Sequence, residues 1–109
     1  MHRPLYEIKA DFFKTLAHPV RIRILELLSE RDQAVAEMLP DVNVEAANLS
    51  QHLAVLRRSG LVTSRKSGST VIYAITSPRV AELLRVARGI LTEVLDVRVE
   101  QLADLRDRA

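Results

Sequence analysis

Apolar positions in this chain recur every three or four residues as far as Gly60, alternate over the next stretch, and return to the longer period at the end. Leu5, Ile8, Phe12 and Leu16 form one stripe, with Glu7, Lys9, Asp11 and Lys14 mostly off it, which predicts a helix over 5–16. Ala17-His18-Pro19 then breaks the chain. His18 reads as a cap or loop residue, and Pro19 suits the first position of a second helix running to about Ser29. That helix is apolar at Val20, Ile22, Ile24, Leu25, Leu27 and Leu28, so a central, largely buried place is expected for it. Arg21 falls within the apolar arc and is expected to snorkel or to be paired. Asp32 is a candidate N-cap for a short third helix from about Gln33 to Leu39, ended by Pro40 and Asp41. Asn43 is expected in a turn, since asparagine tolerates the left-handed conformation.

The stretch from Glu45 to Gly60 has the strongest helical pattern. Leu49, Leu53 and Leu56 stack on one face. Ala47, Gln51, Ala54 and Arg58 point the opposite way, with Asn48 and Ser50 on the flanks of that arc, and Gly60 stands where a terminating glycine belongs. Small side chains interspersed with amide, hydroxyl and guanidinium groups are what a helix needs to approach base edges in a groove. After Gly60 the period drops to two. Leu61–Lys66 and Thr70–Thr76 read as strands joined by Ser67-Gly68-Ser69, with Arg65 and Lys66 beside the tip. A lone hairpin is marginal, so it must pack on the helices. Residues 33–59 thus read as a helix-turn-helix and 61–76 as a basic-tipped wing.

Ser77-Pro78 opens a final helix reaching about Arg106. About 28 residues make roughly 42 Å of helix, and its apolar stripe is longer than one small domain covers. The simplest partner is a second copy, packed through 78–106 and 5–16. Leu5, Ile8, Phe12, Leu84, Ile90, Leu91, Val94, Leu95 and Leu102 are the residues expected at that homodimer interface. Two-fold symmetry would then offer two recognition helices to successive major grooves. Asp96, Glu100 and Asp104 form a like-charge row that destabilises an isolated helix, so arginines such as Arg98 or Arg106 of the partner subunit are expected to offset it. The predicted architecture is mainly α with a small β-hairpin, one domain over 1–109, in the order of four helices, two strands and a fifth helix.

Charge changes the picture only through its distribution. The net charge of +2 is too small to argue a nucleic-acid partner. From Ala46 to Ala81, however, there is no Asp or Glu, while Arg57, Arg58, Arg65, Lys66 and Arg79 lie within that tract. Such a localised field attracts phosphate. Double-stranded DNA is therefore the expected partner. Gln51 is the leading base contact because its amide can pair bidentately with adenine. Asn48 and Ser50 are expected at bases or phosphates, and Ala47 at a thymine methyl or merely making room. Arg58 is expected at phosphate and Arg65 and Lys66 at phosphate or in the minor groove, with Arg57 nearer the side and paired within the fold. His52, about 60° from the centre of the apolar face, is expected to pack and to bond backbone or phosphate.

The same residues resemble a known family. FFKTLAHPVRIRILELL followed by NLSQHLAVLRRSGLVTSRKSGSTVIYAI is similar to the ArsR/SmtB family of dimeric winged helix-turn-helix repressors, and the similarity covers nearly the whole chain. The resemblance implies that 48–58 enters the major groove, that the wing flanks it, and that DNA is released by an inducer, often a metal. Two departures bear on the last point. Members that sense arsenic, cadmium or lead carry cysteines where this chain has Gln33-Ala34-Val35-Ala36, and those that sense zinc, nickel or cobalt place Asp and His on the final helix, which here has no His. No metal site and no cofactor are expected, and no inducer is named.

Absent cysteine excludes disulfides and thiol redox chemistry. No apolar run approaches a membrane span and the N-terminus lacks the apolar core of a signal peptide, so a cytoplasmic location off the membrane is expected. With three glycines and no nucleophile–base spacing or phosphate loop, an enzyme is not expected. The expected function is a homodimeric repressor of an inverted-repeat operator. The alternatives are a winged-helix module that binds protein, or a repressor answering to a non-metal ligand.

Overall fold

The computed structural model describes residues 2–108. Among them, α1 (Leu5–Leu16), α2 (Pro19–Glu30), α3 (Val35–Met38), α4 (Ala46–Arg58), β1 (Val62–Ser67), β2 (Thr70–Ile75) and α5 (Pro78–Asp107) follow in the expected order. Helix boundaries come from local chemistry. At the start of α2, the extended His18 turns its Nδ1 to the Val20 N–H at 3.2 Å, and Pro19 follows where no donor is lost. Ser77 and Pro78 open α5 in the same way, with the hydroxyl accepting from the Arg79 N–H at 3.2 Å. Helix α4 ends on Gly60 at φ +80°. There the Leu61 N–H bonds the Leu56 carbonyl and the Gly60 N–H bonds the Arg57 carbonyl, a Schellman closure that turns Leu61 back into the core.

The core is assembled around α2, which contacts α4, α5 and β2. Ile24, Leu25 and Leu28 of α2 are fully buried together with Met38, Leu49, Leu53, Leu56 and Val62. The strands pair antiparallel from Val62–Ile75 to Ser67–Thr70, leaving Gly68-Ser69 as a two-residue turn. Gly68 alone has positive φ (+64°), which fits a type II′ turn with glycine at its first central position. Leu61 and Thr76, expected within the strands, lie just outside them.

The third helix differs from the expectation. Gln33 is not helical: its N–H and carbonyl pair with Tyr73 in an isolated bridge at 3.0 and 2.8 Å, and its side chain donates to the Leu27 carbonyl at 2.7 Å. Asp32 caps nothing. Helix α3 starts after Ala34, whose N–H is taken by the Glu37 carboxylate at 3.0 Å. That bond, with Arg31 at 2.6 Å, holds the Glu37 carboxyl below its ordinary pKa. Pro40 does not stop the chain at once, because Leu39–Asp41 continues as one 3-10 turn that Pro40 fits. Asn43 turns the chain without a positive φ.

Helix α5 has 30 residues and buries only Val80 and Ala81. The radius of gyration is 17.9 Å, against roughly 13 Å for a compact chain of this length. The excess comes from α1 and α5, whose Leu5, Ile8, Ile90, Leu91, Leu95 and Leu102 are each about half or more exposed. Among the described residues no helix is long and apolar enough to cross a membrane.

Gly60→Ala places a Cβ on left-handed backbone with nothing within 4 Å, so its effect isolates backbone strain from packing. A loss of about 1–2 kcal/mol in urea unfolding is expected, with an unchanged m-value.

Candidate nucleic-acid interface

The leucine side of α4 fixes where its other residues point. Leu49, Leu53 and Leu56 are wholly buried, so Ala47, Asn48, Ser50, Gln51 and Arg58 are all exposed along the opposite side. Among the described residues the side chains of Asn48, Ser50, Gln51 and Arg58 have no hydrogen-bond partner, so their donors and acceptors face outward. On the hairpin that follows, Arg65 and Lys66 of β1 are both exposed, close in sequence to the turn. Arg57 stays within the fold, as expected, donating to the Ser64 hydroxyl of β1 at 3.2 Å.

Two expected phosphate contacts already have partners. Arg65 donates to the Asp32 carboxylate at 2.7 Å, an exposed pair joining the wing to the link before α3. His52 is half-buried between α4 and the start of α2. Its Nδ1 accepts the Nε–H of Arg21 at 3.2 Å, while Arg21 also donates to the Thr15 carbonyl at 3.0 Å. The His52 ring lies 4.2 Å from that of His18, tilted by 48°. Arg21 is thus the paired guanidinium its place in the apolar arc calls for. Burial, followed by the neighbouring His18 and Arg21, lowers the His52 pKa from its ordinary 6.5.

The bridge through Gln33 is absent from the sequence-level site, yet it anchors β2 of the wing to the α2–α3 link. A buried glutamine with a partner 40 residues away leaves no local signal. Of the residues expected at a dimer interface, Leu5, Ile8, Ile90, Leu91, Val94, Leu95 and Leu102 are open to solvent. Phe12 and Leu84 instead pack partly against the chain's own core, while Phe13 offers the exposed ring of the aromatic pair. Asp104 at the end of the acidic row is met by Arg108, the residue that caps the same helix, at 3.3 Å. Among the described residues no group of three or more His, Asp or Glu side chains gathers as a metal site would.

The protonation of His52 gives a test of this corner. Its pKa is lowered in the folded chain, so unfolding takes up a proton below about pH 6.5. The stabilisation from its neutral form is complete above that pH and is lost as the pH falls toward the folded value. The Tm is therefore expected to drop between pH 7.5 and about pH 5.5. His52→Gln should shrink that drop in scanning calorimetry at matched ionic strength.

Comparison with known proteins places this geometry. Residues 18–64, from the cap of α2 into β1, match the family described as bacterial regulatory protein, arsR family. An uncharacterized HTH-type transcriptional regulator of Mycobacterium tuberculosis, Rv0081, is 61% identical over 104 residues, which is 94% of this chain and 91% of that protein. The crystal structure of that regulator superposes with a TM-score of 0.83 at 58% identity, covering 90% of this chain and 99% of the other. A homodimeric winged helix-turn-helix DNA-binding domain of Mycobacterium bovis, solved by NMR, gives 0.75 at 29% identity, over 84% and 85% of the two chains. The transcriptional repressor BigR of Xylella fastidiosa gives 0.68 at 32% identity, over 81% and 87%. The chain belongs to the arsR family, as a transcriptional regulator with the winged helix-turn-helix DNA-binding fold.

Proposed function

We propose that this chain is a homodimeric, sequence-specific repressor that covers a short inverted-repeat operator, with residues 1–109 as one DNA-binding domain. The observation that carries the reading is the exposed side of α4: Ala47, Asn48, Ser50, Gln51 and Arg58 lie together there, inside the acid-free tract from Ala46 to Ala81. In this reading α4 enters the major groove. Gln51 reads a base, Asn48 and Ser50 reach bases or the nearest phosphates, and Ala47 lets the helix approach. His52 and Arg58 bond the backbone, and Arg65 and Lys66 of the wing reach the flanking phosphates. Arg65 exchanges Asp32 for phosphate on binding. The pair is exposed at both ends, so that exchange costs little.

Dimerisation through α5 and α1 would cover the exposed Leu5, Ile8, Ile90, Leu91, Val94, Leu95 and Leu102, with Phe12 and Leu84 shared between the core and the seam. The similar Mycobacterium bovis domain is described as homodimeric and the similar Xylella protein as a repressor, which supports both parts of the reading. The chain has neither the cysteines nor the final-helix histidines of the familiar metal sensors, so control by a metal at those sites is not proposed.

Fluorescence anisotropy on a labelled duplex from the chain's own upstream region, against a random duplex at two salt concentrations, tests the reading. Tighter binding to the upstream duplex, saturating at two chains per site and weakening steeply with salt, is expected. Indifference to both duplexes at low salt would overturn it in favour of a protein-binding module. Gln51→Ala is expected to cost about 1–3 kcal/mol on the upstream duplex and nothing on the random one, whereas Arg65→Ala weakens both alike. Leu91→Glu, at a position 58% exposed in the single chain, should leave the protomer folded and shift it to monomer in sedimentation equilibrium.

A further inference from the structure

The corner where α4 meets the start of α2 holds chemistry that the outward face of α4 does not explain. Arg21 commits its Nε–H to His52 Nδ1 and an Nη–H to the Thr15 carbonyl, the second bond fixing the guanidinium against the end of α1. A ring nitrogen that accepts a hydrogen bond carries no proton, so His52 is the neutral tautomer with its hydrogen on Nε2. The same deduction applies to His18, whose Nδ1 accepts the Val20 N–H. Among the described residues neither Nε2 has a hydrogen-bond partner. No buried side-chain nitrogen or oxygen among the described residues lacks a partner, so both Nε2–H groups reach solvent. Two N–H donors on rings 4.2 Å apart, backed by the Arg21 guanidinium, suit one anionic oxygen ligand.

We infer that Arg21 is a positioning residue for DNA: it fixes the His52 tautomer so that Nε2–H, with that of His18, holds one backbone phosphate beside the recognition helix. This rests on the DNA-binding reading of α4 and adds to it a residue of α2 that touches no nucleotide. The contact reads no sequence, and its task is to set the depth and tilt at which α4 enters the groove. An unpaired His52 would divide its proton between the two nitrogens and present an acceptor to phosphate part of the time. Arg21 removes that state.

Asparagine and glutamine separate the two ring nitrogens in the test. At position 52, Asn keeps a polar group near Nδ1 and loses the outward donor, while Gln extends its amide to the place of Nε2. Anisotropy on the upstream and random duplexes is expected to show His52→Asn and Arg21→Met each about tenfold weaker on both, with the preference between duplexes unchanged. His52→Gln should bind within about twofold of the parent, and in that background Arg21→Met should cost less than about twofold, because no tautomer is left to fix. Imidazole 15N shifts of the DNA-free protein should report Nε2–H for His52, and a tautomer mixture in Arg21→Met. Equal binding by the Asn and Gln variants overturns the inference, as does an undiminished Arg21→Met loss in the Gln background or an Nδ1–H tautomer in the parent. If Arg21→Met does not fold, the Asn–Gln contrast and the parent's shifts decide. Parent protein that binds neither duplex ends the DNA reading and this inference together, whereas a parent that binds while Arg21→Met binds equally well overturns this inference alone.

Discussion

The complete burial of three leucines, Leu49, Leu53 and Leu56, governs the arrangement of everything else. A helix of 13 residues that hides one side completely has no choice about what the other side shows. The core that receives those leucines is α2, apolar around most of its circumference, with α4, β2 and α5 packed about it. The reversal at Gly60 feeds Leu61 and Val62 into the same core, so the root of the wing is set by the packing that orients α4. Polar side chains at the surface inherit their positions from apolar ones they never touch.

Much of this was legible because it is local. Pro19 after His18, Pro78 after Ser77 and glycine at position 60 act within one turn of chain, and the period of two after Gly60 needs no knowledge of a partner. The exposed face of α4 could be read from spacing for the same reason. What escaped depends on residues distant in sequence. Asp32 looks like a cap until Arg65, 33 positions on, takes its carboxylate, and Gln33 looks helical until Tyr73 offers it a sheet bond. Arg21 lies between these cases. Its place in an apolar arc demanded a partner, and nothing near it in the chain named His52.

Composition was a poor guide to electrostatics here, and arrangement a good one. A net charge of +2 hides a tract of 36 residues without an acid, and most of the carboxylates elsewhere stand on the first three helices or along α5. The ion pairs that form, such as Arg3 with Asp11 and Arg31 with Glu37, are exposed and contribute little to stability.

The bond between Gln33 and Tyr73 has a mechanical side as well. It fastens the hairpin to the link after α2 and so ties the wing to the block that α2 and α4 form. Helix α5 leaves that block as a long handle, touching it only near its first turns. In a two-fold pair joined along their handles, a small rotation at the seam would be geared up into a larger swing of both blocks. The spacing of the two readers, and not the shape of either one, is what such a molecule can vary.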